Sequence, residues 1–221
     1  MKYPFLTLLT ALFLSQPLVF GQVFSYNSEE NGQIIHHRIL MDEGYFVETQ
    51  FTSNPNRFIK TLGGFYQKEG DRLKVALEFN SNFAQDSLKS IVVVQGDHWE
   101  KLSAKALPLN GKWLMAGRVT DGKEQRRDIN RPRKTMKMLV DGYFQWIAYN
   151  TATFSFHGTG GGRYQAEDGS YTETIEYFSR DDNKVGISLR FDYDQKGNDW
   201  HHQGFSSKGD PMHEIWTVRK P

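Results

Sequence analysis

The 221-residue chain predicts an all-β protein, two antiparallel β-barrels in tandem behind an N-terminal signal peptide. The first ground is a repeat: residues 44–79 recur at 142–177 with a constant offset of 98 and no gap. Gly44/Gly142, Tyr45/Tyr143, Phe46/Phe144, Phe58/Phe156, Thr61/Thr159, Gly63/Gly161, Gly64/Gly162, Tyr66/Tyr164, Gln67/Gln165, Glu69/Glu167 and Glu78/Glu176 are identical, where average composition gives roughly two matches by chance. The second is a period-two alternation of apolar and polar residues, clearest over Tyr171, Glu173, Ile175, Tyr177 and over Val185, Ile187, Leu189, Phe191, Tyr193. The third is negative, since apolar spacing suited to a long helix is missing after residue 22. The turn-forming pairs Asp168-Gly169, Lys196-Gly197 and Lys208-Gly209 separate the alternating runs, as sequential hairpins require. Many short antiparallel strands must hide their edges, which favours closure into a barrel.

Residues 1–21 have the pattern of an export signal. Lys2 gives the positive start, an apolar run follows, and Val19, Phe20 and Gly21 precede Gln22 in a small-residue cleavage pattern. Ser15, Gln16 and Pro17 interrupt the apolar run before the roughly 20 residues that span a bilayer, so no stable membrane insertion is expected. Removing this segment takes the formal charge from +1 to 0, which argues against a nucleic-acid partner. With no cysteine in the chain, a disulfide scaffold and a lipid-modified cysteine are both excluded. The expectation is a soluble exported protein, periplasmic or extracellular, with one unit over 22–105 and a second over 107–221. Trp99 is matched to Trp216 as the closing strand of a unit rather than to Trp200. That choice leaves the first unit short of one hairpin, the part equivalent to 194–212.

Gly111-Lys112-Trp113 ahead of a run of strands, and a late strand carrying Trp216 and Arg219, resemble the Gly-x-Trp start and late arginine of lipocalin-like (calycin) barrels. Joined to Arg131-Pro132-Arg133-Lys134-Thr135-Met136, Phe144-Gln145-Trp146, Gly158-Thr159-Gly160-Gly161-Gly162, Phe178-Ser179-Arg180-Asp181, Asp199-Trp200-His201-His202 and Ser207-Lys208-Gly209-Asp210-Pro211, residues 107–221 resemble secreted bacterial lipocalin-like domains of unknown function. Residues 22–105 resemble the same domain more loosely, with Phe24-Ser25-Tyr26 at the expected Gly-x-Trp position. The resemblance implies a barrel with room for a ligand, and brings no activity and no catalytic residues.

The first unit serves as an internal control for the second. Leu73, Val75, Leu77 and Phe79 form an apolar row, so their equivalents Tyr171, Glu173, Ile175 and Tyr177 are expected to point inward. The same register puts Tyr143, Gln145, Ile147 and Tyr149 inside, and Trp146 and Ser155, equivalents of Glu48 and Arg57, outside. Ile59 becomes His157 and Phe65 becomes Arg163. A carboxylate inside a barrel needs a cation, water or a ligand, and Arg163 is the expected partner of Glu173. Candidate ligand-binding residues are thus Gln145, Trp146, His157, Arg163, Glu173, Arg180, Trp200 and His202. The tryptophans would supply stacking, and Arg180 a cap at the mouth.

Other motifs carry less. His201 and His202 leave opposite faces of a strand and make a poor chelate, so surface positions and no metal are expected. The glycines of 158–162 suggest a tight hairpin and not a phosphate cradle, because no helix follows. Arg126, Arg127, Arg131, Arg133 and Lys134 form a basic loop that would attract an anion if it bordered the barrel mouth. No Gly-x-Ser-x-Gly elbow, cysteine nucleophile or His-Glu-x-x-His helix is present, so no catalytic residue and no cofactor are assigned. The expected function is binding of a small amphipathic or anionic ligand in the second lumen. The alternatives are a non-catalytic module with sealed cores that engages a cell-envelope protein, and, last, a hydrolase or isomerase using the polar lumen.

Overall fold

A computed structural model describes residues 21–42, 44–102 and 106–220. The signal-peptide expectation falls, apart from Gly21, outside the described residues. Strands β1 (Gln22–Glu30), β2 (Gln33–Met41), β3 (Tyr45–Ser53), β4 (Asn56–Glu69), β5 (Arg72–Asn80), β6 (Ser90–Val94) and β7 (Glu100–Lys101) form one antiparallel sheet in the order β6-β5-β4-β3-β2-β1-β7. Strands β8 (Gly111–Thr120), β9 (Lys123–Arg126), β10 (Arg133–Val140), β11 (Tyr143–Asn150), β12 (Phe156–Glu167), β13 (Ser170–Phe178), β14 (Ser188–Lys196), β15 (Asp199–Phe205) and β16 (Pro211–Val218) form the other. In this second sheet β16 pairs with β8, and β8 pairs with β10 through Leu114 and Met136. The result is a closed eight-stranded barrel from which β9 extends as a hairpin on β8.

The all-β class holds, with a difference between the sheets. Among the described residues no pairing joins β6 to β7, so the first sheet keeps two edges. β7 pairs with β1 at Phe24 and Ser25, as β16 pairs with β8, and Trp99 leads into that closing strand. β6 stands in the place of β14, the first sheet has no counterpart of β15, and the gap lies there. The turns at Asp168-Gly169, Gly197 and Lys208-Gly209 join β12 to β13, β14 to β15 and β15 to β16.

The two sheets share a core. Val23, Leu40, Tyr45, Val47 and Phe79 of the first pack on Met136, Met138, Tyr143, Ile147 and Tyr149 of the barrel's outer wall. The contact is locally two-fold. Phe51 meets Tyr177 at 5.0 Å between centroids and Phe79 meets Tyr149 at 5.1 Å, pairs that interchange under the offset of 98. Such self-complementary contact is the geometry of an isologous interface, here within one chain. Glu78 seals one side. It accepts from Tyr45 (2.7 Å), Tyr149 (3.0 Å) and both terminal nitrogens of Arg219 (2.7 Å each). Burial raises the Glu78 pKa, and the Arg219 and tyrosine bonds outweigh it and hold the carboxyl below its ordinary range.

This packing overturns part of the expected facing. Tyr143, Gln145, Ile147 and Tyr149 look at the first sheet and not into the lumen, while the intervening Phe144, Trp146 and Ala148 line the interior. The row along β13 is broken as well. The register of β12 against β13 slips between Gly161 and Gly162, leaving Glu176 as an extra residue, and β4 against β5 slips at Gly63/Gly64 over Glu78. A bulge of this kind turns the following side chain to the other face. Tyr171, Glu173 and Ile175 therefore stay inside while Tyr177 joins the inter-sheet core, as Leu77 and Phe79 divide in the first sheet. The glycines of 158–162 are not a hairpin but part of strand β12. A Cβ on Gly160 would come within 2.6 Å of Phe178 and 2.7 Å of Trp146, so the bare backbone makes room for both rings.

Candidate functional site

The barrel closes at one end and opens at the other. Leu107, Leu109, Trp113 and Tyr164 pack at the closed end, where the indole of Trp113 donates to the Leu109 carbonyl at 2.8 Å. Above them lies a cavity of about 350 Å³ that opens among the connections after β9, β13 and β15. This is at the small end of the range for ligand pockets, about 300–1,000 Å³.

Its floor is ionic. Glu173, 6 % exposed, accepts from Lys137 Nζ at 2.5 Å and from the Tyr171 hydroxyl at 2.7 Å. The Lys137 ammonium stands 5.2 Å from the ring centres of Trp200 and Trp216, 5.4 Å from Tyr171 and 5.9 Å from Phe144. This aromatic cage stabilises a cation that has left water. Under the offset of 98, Lys137 and Glu173 occupy the places of Ile39 and Val75, both in the apolar core of the first sheet. Where the first sheet has two apolar side chains at these positions, the barrel has an ion pair.

His202 is 1 % exposed beside the floor, and neither ring nitrogen makes a hydrogen bond. Glu214 Oε2 is 3.8 Å from Nδ1. Burial and the Lys137 charge push the His202 pKa down, so the ring is neutral at neutral pH. Burial raises the Glu214 pKa, but the positive charges around it, Lys137 and Arg118 among them, bring it below the ordinary carboxylate range. A buried imidazole without a hydrogen bond, beside a cavity, is an uncommon arrangement.

The mouth is basic. Arg127 donates to the Met115 carbonyl at 2.5 Å, Arg133 to the Lys134 carbonyl at 3.1 Å, and Arg180 to the His157 carbonyl through two nitrogens, at 2.8 and 3.2 Å. None of these three has a carboxylate partner among the described residues, whereas Arg118 meets Glu214 at 3.5 Å. Burial, with further arginines nearby, lowers the pKa of both Arg127 and Arg133. The Arg180 guanidinium lies 5.4 Å from the centre of the Trp146 ring, which meets Phe178 edge-on at 5.7 Å.

Of the residues singled out from the sequence, Trp146, Glu173, Arg180 and His202 line the cavity. The rest do not. Gln145 lies between the sheets, where it donates to Thr61 and Thr159 at 3.0 Å each and accepts from Thr49 at 2.9 Å. Arg163 is on the outer surface, bonded to Glu176 at 3.1 Å, so the partner of Glu173 is Lys137 in its stead. The His157 ring is exposed and its carbonyl makes the contact to Arg180. Trp200 is fully buried beneath the floor against Trp113 and Trp216 and does not border the cavity. Trp146 faces inward, against the expected outward position, because the inter-sheet face claims its neighbours. His201 and His202 do leave opposite faces, yet neither is at the surface. His201 pairs with His213 at 3.1 Å outside the lumen and is 8 % exposed. Lys137 escaped sequence reasoning, Phe144 and Phe178 were noted only within motifs, and Arg127 and Arg133 only as a loop.

The corresponding face of the first sheet is filled. Glu48, in the place of Trp146, accepts from Tyr26 (3.2 Å) and Gln50 (3.2 Å) and pairs with His37 Nδ1 at 2.8 Å, while Ser28 Oγ meets His37 Nε2 at 2.8 Å. Tyr26 lies flat on the His37 ring at 4.0 Å.

No helix among the described residues is long and apolar enough to cross a membrane. No protein-family model matches the chain, and no curated protein does. Among solved structures, a lipocalin-like protein from Bacteroides uniformis aligns at 16 % identity over 50 % of this chain and 98 % of its own, with a TM-score of 0.35. An uncharacterized protein from Bacteroides eggerthii aligns at 15 % identity over 49 % of this chain and 98 % of its own, with a TM-score of 0.34. The barrel assignment stands on the strand pairing described above.

Proposed function

We propose that the barrel is a non-catalytic receptor for a small anionic molecule, held in the lumen with its charge at the mouth. The observation that carries this reading is the group of Arg127, Arg133 and Arg180 around an open cavity, bonded among the described residues only to backbone carbonyls. Guanidinium groups at an exposed rim pair with carboxylate or phosphate through charge-assisted, often bidentate bonds. Lys137 and Glu173 neutralise each other, so the net field at the mouth is positive and draws anions in. Trp146 with Arg180 offers a flat wall for stacking.

In this reading the first sheet is a scaffold whose sealed face supports the barrel's outer wall, and the two units, 22–105 and 107–221, arose by duplication. Residues 1–21 direct export to the periplasm or beyond, which intact-mass measurement of the secreted product tests by loss of that segment. Native mass spectrometry of the protein purified from its host tests the receptor. A small-molecule adduct that dissociates in high salt and is missing from an Arg127→Gln/Arg133→Gln/Arg180→Gln variant is expected. A clean unliganded mass in the wild-type protein at low salt would overturn the proposal.

A further inference from the structure

The lumen is polar at both ends and apolar between them. Arginines stand at the mouth. At the floor are the Lys137–Glu173 pair, Glu214 and His202, with both nitrogens of His202 unbonded. The wall between is built from the faces and edges of Phe144, Trp146, Phe178 and Trp216. A fatty acid with its carboxylate on the arginines would press its alkyl chain onto this floor. It would offer no hydrogen bond to Glu214 or to the buried, unbonded nitrogens of His202, the costly arrangement for buried polar groups.

A hydroxylated ligand has no such conflict. The neutral imidazole presents one donor and one acceptor, and a hydroxyl can accept from the ring N–H while donating to Glu214. The C–H faces of a sugar ring suit an indole wall, and the cavity volume suits a mono- or disaccharide.

Resting on the anion-receptor reading, we infer that the ligand is a sugar acid. Its carboxylate meets Arg127, Arg133 and Arg180, its ring lies against Trp146, and its hydroxyls reach His202 and Glu214. Charge at one end and hydroxyls at the other then fix a single orientation in the barrel.

Isothermal titration of the whole chain with D-glucuronate, D-glucose and laurate tests the inference. Glucuronate binds, and glucose binds roughly tenfold or more weakly, since it lacks the charge-assisted bonds. Arg180→Gln, at the exposed rim where folding is not at stake, weakens glucuronate by a similar factor and glucose by much less, because glucose has no carboxylate to lose its partner. His202→Leu weakens glucuronate and strengthens laurate. Tighter binding of laurate than of glucuronate to the wild-type protein, lost in Arg180→Gln, overturns the sugar-acid inference and leaves the anion receptor standing. Equal binding of glucose and glucuronate overturns both. No heat with any of the three overturns this inference, and the adduct measurement then decides the receptor alone.

Discussion

The concave face of the first sheet and the lumen of the barrel are built from matched positions and end in opposite states. In the first sheet Ile39 and Val75 belong to a core with Phe46, Leu62, Leu73 and Leu77, and the polar rim is consumed internally by the Ser28, His37, Glu48 and Tyr26 bonds. In the barrel the same places hold Lys137 and Glu173, Thr135 replaces His37, Trp146 replaces Glu48, and a cavity opens above. The fold therefore does not need the charges. A buried ion pair rarely stabilises beyond a hydrocarbon contact of like volume, so its presence in only one of two matched interiors points to a role for the space beside it.

The comparison is most sharply broken by removing one ion of the pair. Glu173→Val leaves the Lys137 ammonium and the Tyr171 hydroxyl without their acceptor, and a loss of about 3–5 kcal/mol in chemical denaturation is expected. Tolerance of Val at 173 on its own, as the equivalent Val75 suggests, is thus not expected. Substitution between the sheets comes next. Gln145→Val, copying Val47, strips the threonines of Thr61 and Thr159 of a shared partner and costs about 1–3 kcal/mol, with ligand affinity unchanged because residue 145 is outside the lumen. A change in affinity without a change in stability would return Gln145 to the site.

The smallest effect is on pH dependence. His202 has a folded pKa below its unfolded value of about 6.5, so the unfolded chain takes up the proton more readily. Its contribution to stability is complete above that value and declines as pH falls through the interval down to the folded pKa. His202→Phe should flatten the decline of melting temperature below about pH 6.5. His36, His157 and His213, also shifted down, keep part of the slope. An unaltered slope would show that His202 is not buried in neutral form.

Much of this was legible in the chain. Gly-containing turns marked the hairpins, the repeat set the matched positions, and Trp99 marked the closing strand of the shorter sheet. The inward position of Glu173 followed from Val75. What failed was the choice of face along β3 and β11. Both faces of the first sheet are buried, one in its own core and one against the barrel, so the row of Tyr45, Val47, Thr49 and Phe51 reads as lumen when it is interface. Bulges at Glu78 and Glu176 hid a second change of face, because period-two alternation carries no sign of an inserted residue. Lys137 was missed for a simpler reason. It lies upstream of the identical segment, where carrying the offset of 98 back to Ile39 would have exposed the paired exchange.

Transplanting the first interior into the second tests the account most directly. In Lys137→Ile/Tyr171→Phe/Glu173→Val both charges and the hydroxyl bonded to Glu173 go together, so none of the three loses its partner while staying behind. The account predicts a melting temperature equal to or above that of the wild-type protein and, in native mass spectrometry, loss of the small-molecule adduct. A variant that folds and retains the adduct, or one that fails to fold, would contradict it.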